Sequence, residues 1–319
     1  MNIVASTDKL FVMPTGVMIY SVCVNNPDTD IVFHVLVNTD VTSENKRDLE
    51  KVVSQFNGKT IVFYDPNQKM QSIDFPPIIS KAITKTTYYR LFMAELLPPV
   101  IDKVLYLDVD IIVRHSLLPL WNIDVSNYAV AAIPDIFSAQ SEVYSRLHIP
   151  RSLCYVNSGV LLINLKYWRS HSLSERFQSW MVEHIDVIRY GDQDILNAVL
   201  KEKILLIPQK FNLMHGYLWK QTYYDYKKYE NDVLDARRDP TIVHFTGAKP
   251  WDAYCEGEPH PLNSTFYKYQ QQTKWKDERI DIRPYKKRIS NFCGDILRKL
   301  GLMAPRKLYH NYIEIAPID

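Results

Sequence analysis

Within the first 64 residues the apolar pattern runs strand, helix, strand, helix, strand. That order restricts the chain to a parallel sheet with crossover helices. Residues 2–5 read as a first strand, Ser6-Thr7-Asp8 as a strand-to-helix turn, and residues 12–25 as a mostly apolar helix. A second strand, residues 31–37, ends at Asn38-Thr39-Asp40. Thr42 or Ser43 can cap the next helix, in which Leu49, Val52, Val53 and Phe56 recur at helical spacing before Asn57-Gly58 stops it. Residues 60–64 give the third strand. Ligands of such sheets collect outside the carboxyl ends of the strands, which is where Asp8 falls. With 319 residues, 46% of them hydrophobic, the chain can bury the core of one large domain, alone or with an appendage.

The stretch KVLYLDVDIIV, residues 103–113, carries the strongest chemical signal. Val104, Leu105, Tyr106 and Leu107 form a buried-strand run that ends on Asp108-Val109-Asp110, after which Ile111, Ile112 and Val113 continue it. Side chains alternate along a strand, so both aspartates are expected on one side of the sheet. Two carboxylates among apolar neighbours repel each other and lose hydration, and both stay ionised readily only with a cation between them. The bland alternative is a polar strand end that caps the following turn. Asp8 lies at another predicted carboxyl end, and the three acids can share one crevice.

Residues 65–82 read as a loop with Pro66, Pro76 and Pro77, and residues 83–97 as a helix stopped by Pro98-Pro99. Its Arg90 either pairs with a phosphate or an acid, or is a solvated helical arginine. Residues 128–133 read as a strand ending at Pro134-Asp135. Tyr155-Val156-Asn157-Ser158-Gly159 then leads into an apolar strand, residues 160–165. Asn157 can hydrogen-bond a ligand there while Gly159 allows close backbone approach, unless the segment is only a tight turn. A helical stretch with Trp168, Phe177, Trp180 and Met181 precedes Asp192-Gln193-Asp194, which heads the helical pattern of Ile195, Leu196, Val199 and Leu200. Asp192 there is either a helix cap or a ligand group, and Gln193 adds one acceptor and two donors.

Ile242-Val243-His244-Phe245 reads as a strand broken by Gly247 and Pro250. A lone histidine after apolar residues is usually a satisfied core residue. Here a glycine turn and Lys249 follow within a few positions, a combination suited to metal plus phosphate. A neutral imidazole beside two carboxylates makes a mixed nitrogen and oxygen set that suits Mn²⁺, and Lys249 supplies a point charge for an anionic leaving group.

The net charge of +2 makes no case for nucleic acid. Four cysteines, Cys23, Cys154, Cys255 and Cys293, are widely spaced with no CxxC pair, the usage of reduced thiols in a cytosolic protein. No secretory signal and no run long enough to span a membrane is evident, so a cytoplasmic protein is expected. Residues 217–229 (YLWKQTYYDYKKY) are aromatic and basic, either an acceptor platform or a solvated connection. Near the end, Ile289, Phe292, Cys293, Ile296, Leu297 and Leu300 follow helical spacing, flanked by Lys286, Lys287, Arg288, Arg298 and Lys299. Such a basic amphipathic helix can lie peripherally on an anionic membrane surface or pack on the main domain.

Four separated segments, IVASTD, KVLYLDVDIIV, NSGVLLINL with YGDQDILN, and HFTGAKPW, together match one family in this order. The chain resembles the bacterial members of glycosyltransferase family 8, particularly the lipooligosaccharide galactosyltransferases, over residues 1–275. The resemblance implies a GT-A fold: an α/β, Rossmann-like, mostly parallel sheet flanked by helices. The remaining residues, 276–319, would form the small helical, basic tail. It further implies a retaining transfer of a hexose from UDP-galactose or UDP-glucose to a hydroxyl of a glycan or glycolipid such as lipopolysaccharide, with Mn²⁺, or Mg²⁺ in its place.

By that resemblance Asp108, Asp110 and His244 bind the metal. Thr7, Asp8, Phe11 and Arg90 hold the nucleoside side, Val109 belongs to the same donor site, and Gly247 and Lys249 hold the phosphates. Asn157, Ser158, Asp192 and Gln193 surround the donor sugar, and Gln193 together with the nearby Asp135 and Asp194 are the candidate catalytic groups. Two positions depart from the family pattern. Lys9, Leu10 and Phe11 stand where an acidic residue, an Asn and a Tyr are common; Phe11 keeps a ring for stacking on uracil, and Leu10 cannot make the polar nucleoside contact. Ser158 replaces a commoner Ala. The residue placed under the sugar matches Gln193, and an amide is a poor nucleophile. Attack from the leaving-group face is therefore expected, with Asp194 as nucleophile the minor option. Two other classes fit less well. A phosphatase of the haloacid dehalogenase type would leave His244 and the 192–194 segment without a role. A nucleotide-sugar binding protein with weak or lost catalysis is suggested only by Leu10.

Overall fold

The computed structural model describes residues 1–67, 69–70, 73, 75, 85–219, 226–252, 260–280, 294, 296–297 and 300–302. The strands are β1 (Asn2–Thr7), β2 (Ile31–Val37), β3 (Lys59–Tyr64), β4 (Lys103–Leu107), β5 (Ile111–Val113), β6 (Val130–Pro134), β7 (Val156–Asn164), β8 (Ile204–Leu206), β9 (Leu213–Met214) and β10 (Ile242–His244). The helices are α1 (Val12–Val24), α2 (Ser43–Val53), α3 (Met93–Leu96), α4 (Leu118–Trp121), α5 (Ser141–Arg146), α6 (Leu165–Ser170), α7 (Leu173–Glu183), α8 (Asp192–Leu200), α9 (Tyr226–Arg238) and α10 (Asn263–Gln270).

Seven strands form one sheet in the order β3-β2-β1-β4-β7-β6-β8. The expected parallel start is present: β1 pairs parallel with β2 and β4, and β2 with β3. Thr42 caps α2 through a capping box with Asn45. Only β7 runs against its neighbours β4 and β6. That reversal brings the start of β7, with Asn157 and Ser158, to the edge where β1 and β4 end. Side chains divide by strand period: Ile3, Ala5, Leu105 and Leu107 join the core under α1 and α2, whereas Val4, Val104 and Tyr106 join the core under α3, α6, α7 and α8.

The stretch 103–113 is not one strand. β4 ends at Leu107 inside the large sheet, and β5 enters a three-stranded sheet of order β5-β10-β9. Residues 108–110 are the junction, so the aspartates converge through a turn rather than through strand alternation. The reason lies in pairing: β10 runs antiparallel to β5 and sets His244 opposite Ile111, one residue from Asp110. The helix expected over residues 83–97 is also different. Residues 83–84 lie outside the described residues, Lys85–Phe92 winds as a 3-10 helix, and only Met93–Leu96 is α-helical. The tighter winding stacks residues three apart, and Arg90 Nε donates to Thr87 O at 3.0 Å.

Residues 260–280 still pack on the same core. The Trp275 ring lies against Gly16, and Ile280 N donates to Trp251 O at 2.8 Å. Residues 220–225 of the aromatic-basic segment lie outside the described residues, while Tyr217 and Leu218 are buried. Of the amphipathic tail, Ile289, Phe292 and Cys293 lie outside them as well, and Ile296, Leu297 and Leu300 are exposed. Among the described residues no helix is long and apolar enough to cross a membrane.

Candidate active site

At the carboxyl edge of β1 and β4 the residues singled out from the sequence meet. Arg90 is buried and takes three roles. Its Nη2 donates to Asp108 Oδ1 at 2.8 Å, its Nη1 donates to Ser158 O at 2.6 Å, and Asp192 Oδ2 lies 3.0 Å from its Nε. The guanidinium also stacks over Tyr106 at 4.4 Å, whose hydroxyl donates to Asp108 Oδ1 at 3.1 Å. The solvated-arginine alternative is therefore overturned. Burial pushes the Asp192 carboxyl up to about 6, against the lowering pull of Arg90.

His244 is fixed in one tautomer by a chain of amides. Gly159 N donates to Asn157 Oδ1 at 2.9 Å, so that atom is an acceptor, and Asn212 Nδ2 donates to it at 2.9 Å as well. Asn212 must then turn its Oδ1 toward His244 Nδ1, 2.8 Å away, which places the imidazole proton on Nδ1. In the neutral ring, the form a metal ligand takes, the Nε2 lone pair then faces Asp110 Oδ1 at 3.1 Å and Asp108 Oδ2 at 3.8 Å. Three electron-pair donors pointing at one another are unfavourable without a cation among them. Their ligand atoms all lie within 4.8 Å of one another, and the donor set fits a divalent ion. Burial tends to raise the Asp110 carboxyl, but the Lys249 ammonium beside it outweighs this and holds it well below the usual carboxylate range. Lys249 Nζ donates to Asp110 Oδ2 and to Phe245 O.

Two glycines make room for this cluster. A Cβ on Gly159 would enter the His244 ring and stand 2.7 Å from Asp108 Oδ2 and 3.0 Å from Asn157 Oδ1. A Cβ on Gly247 would enter the His215 ring. Burial pushes His215 down to about 4, with Lys249 and His244 adding to the effect.

On the other flank Gln193 Oε1 accepts from Asn157 Nδ2 and Ser158 N, both at 3.1 Å. Asp135 Oδ2 accepts from Asn157 Nδ2 at 2.9 Å, and its Oδ1 caps the following turn at Phe137 N. Burial pushes the Asp135 carboxyl up. Asp194 is fully buried and accepts from Arg146 Nη1 and Tyr155 Oη, both at 2.7 Å, and from the backbone N–H groups of Arg189 and Tyr190. Asp192 is the first helical residue after Gly191, which takes a positive φ of 57°. Asp8 caps a 3-10 turn through Leu10 N and Phe11 N, at 3.0 and 3.3 Å. Thr7 is buried behind it and receives the Thr15 hydroxyl at 2.9 Å. Phe11 turns its edge to Trp251, 6.4 Å away. Val109 is half-buried in the junction, and the Leu10 side chain is 57% exposed.

Asn212, Tyr155 and Arg146 escaped the sequence reading. Asn212 stands alone between apolar residues, and nothing in its spacing announces the histidine it orients. Removing its carbonyl in Asn212→Leu is expected to weaken Mn²⁺ affinity about 10- to 100-fold with the fold retained. Titration calorimetry checks this, and unchanged affinity would show that the His244 tautomer does not depend on Asn212.

Comparison with known proteins agrees with this geometry. The model of the family described as glycosyl transferase family 8 matches residues 2–255. The chain is 28% identical to the lipopolysaccharide 1,2-glucosyltransferase of Escherichia coli strain K12, over 87% of this chain and 80% of that one. It is 26% identical to the lipopolysaccharide 1,3-galactosyltransferase of Salmonella typhimurium strain LT2, over 86% and 79%. The crystal structure of galactosyltransferase LgtC in complex with donor and acceptor sugar analogs superposes with a TM-score of 0.74 at 30% identity, covering 90% of this chain and 99% of that one. The architecture is the GT-A fold.

Proposed function

The chain belongs to glycosyltransferase family 8, and from that premise we propose that it moves a hexose from UDP-galactose or UDP-glucose to a hydroxyl of a cell-envelope glycan, with retention of anomeric configuration. The observation that carries the reading is the His244 lone pair turned on two carboxylates beside Lys249. Asp108, Asp110 and His244 would hold Mn²⁺, or Mg²⁺ in its place, which would supply positive charge against that building on the diphosphate leaving group. Lys249 and Gly247 serve the phosphates. Lys249 already contacts Asp110, which supports a role for its ammonium beside the metal and the leaving group.

Thr7, Asp8, Phe11, Val109 and Arg90 serve the nucleoside side. Arg90 is spent largely within the protein, on Asp108 and Asp192, and holds one carboxylate from the metal side and one from the sugar side in fixed register. Asn157, Ser158, Asp192 and Gln193 line the sugar, with Asp135 behind Asn157. Asp194 is surrounded by donors on every side, which supports a holding role rather than nucleophilic attack. The reaction then proceeds on the leaving-group face, and a diphosphate oxygen takes the proton of the acceptor hydroxyl. The lipopolysaccharide glycosyltransferases among the relatives support a lipopolysaccharide or lipooligosaccharide acceptor. Residues 1–275 form the catalytic domain, and within the tail, 276–319, the basic amphipathic stretch from Lys286 to Leu300 serves peripheral contact with the inner face of the cytoplasmic membrane.

The test is UDP release from UDP-galactose and UDP-glucose, each with Mn²⁺ and with EDTA. Release that needs Mn²⁺ and favours one sugar is expected. Binding of UDP without turnover of either sugar, even with a lipopolysaccharide acceptor present, would favour a nucleotide-sugar binding protein. Failure to bind UDP in Mn²⁺ would overturn the donor site.

A further inference from the structure

The orientation of the Gln193 amide is set from behind. Tyr155 Oη, fully buried, donates to Asp194 Oδ1 at 2.7 Å and receives Gln193 Nε2 at 3.1 Å. The direction of each bond follows from the partners. Asp194 is ringed by donors, namely the Arg146 guanidinium and the N–H groups of Arg189 and Tyr190, so it accepts from Tyr155 too. The single phenolic proton is thereby used, and Tyr155 has only lone pairs to offer Gln193. The opposite end agrees: Ser158 N is a backbone donor and requires the Gln193 oxygen. Arg146 holds the far side. Its Nη1 also donates to Val187 O at 2.6 Å, its Nε donates to Glu142 at 2.9 Å, and it stands over the Tyr190 ring, which stacks on Phe137 at 4.6 Å. Burial and the neighbouring acids keep the Tyr155 hydroxyl protonated far above its ordinary range.

We infer that Tyr155, locked by the Arg146–Asp194 pair, is a positioning residue that fixes which end of the Gln193 amide faces the donor sugar. The inference rests on the reading of Gln193 as a donor-sugar residue. A flipped amide would set NH₂ against Ser158 N–H and exchange a donor for an acceptor at the sugar. The Tyr155 hydroxyl opposes this from the rear, beside Asp135, whose carboxylate also takes a hydrogen bond from Gln193. Loss of orientation at a group aligned on the reacting centre lowers turnover more than ground-state binding.

Tyr155→Phe keeps the ring and removes the hydroxyl. In ¹⁵N-labelled full-length protein, the Gln193 side-chain amide resonances, assigned by their loss in Gln193→Ala, are expected to shift and exchange faster with solvent in Tyr155→Phe. With UDP-galactose or UDP-glucose and Mn²⁺, kcat is expected to fall about ten-fold while KM for the donor stays within about three-fold. In the Gln193→Ala background the same change should alter kcat less than about two-fold, since the group it orients is gone. Arg146→Lys, which keeps charge and loses the fork, should give a smaller change of the same kind and stands in if Tyr155→Phe does not fold. Unaltered Gln193 amide resonances in both variants, or a kcat loss that persists without Gln193, would overturn the inference. Unchanged turnover in Gln193→Ala would instead remove the donor-sugar role, leaving the resonances to decide the relay alone.

Discussion

Asp110→Asn is expected to abolish measurable Mn²⁺ binding and to lower kcat/KM for UDP-sugar by about three orders of magnitude or more, the scale of a lost charge-stabilising centre. The amide keeps the shape of the side chain but withdraws the charge that faces His244 and Lys249. Sequence neighbours do not compensate, because Asp108 is already engaged by Arg90 and Tyr106 through Oδ1, leaving Oδ2 toward the histidine. Stability should fall by only about 1–2 kcal/mol, since Lys249 retains Phe245 O and some access to water. Calorimetric Mn²⁺ titration together with a melting curve separates the two effects. Retained Mn²⁺ affinity with turnover within ten-fold of wild type would remove Asp110 from the metal site.

Gly159→Ala should be nearly as damaging to the site although it adds one methyl group. No positive φ is involved, so backbone strain is not the cause. The new Cβ enters the His244 ring and crowds Asp108 and Asn157 together, and each of the three is held by other partners. Overpacking of this kind costs about 1–3 kcal/mol, and displacement of a ligand set weakens metal binding about 100-fold. A melting temperature lowered by a few degrees with Mn²⁺ affinity lost is the expected pair of results. Gly58→Ala provides the comparison: it strains a turn at a positive φ of 69° and crowds Asp30, far from the cluster, and should lower the melting temperature alone. Equal Mn²⁺ affinity in Gly159→Ala and wild type would mean the ring can retreat and the glycine is not needed for space.

The parallel half of the sheet was legible because its signals are local. Apolar runs, a capping box at Thr42 and a stop at Asn57-Gly58 each decide within a few residues. The acidic pair and His244 were legible for a related reason, since carboxylates and imidazole among apolar residues need an explanation wherever they lie. What joins them was not legible. An apolar run does not reveal which strand it will pair with, so the break between β4 and β5 at residues 108–110 was hidden. For Arg90 the sequence leaves pairing with an acid or phosphate and solvation both open, because its partners, Asp108 and Asp192, lie 18 and 102 positions away in the chain. Asn212 and Tyr155 are ordinary residues by composition. Their value comes only from the hydrogen bonds that remain once other donors and acceptors are assigned.

The three candidate metal ligands come from a junction between two sheets and from a strand of the smaller one. An ion bound there would act as a rivet, and its affinity would meter how well the small sheet is seated against the large one. Each ten-fold of affinity spent on reseating corresponds to about 1.4 kcal/mol of docking free energy. Changes in β9 or β10 that touch neither sugar nor phosphate can therefore tune the enzyme's demand for metal.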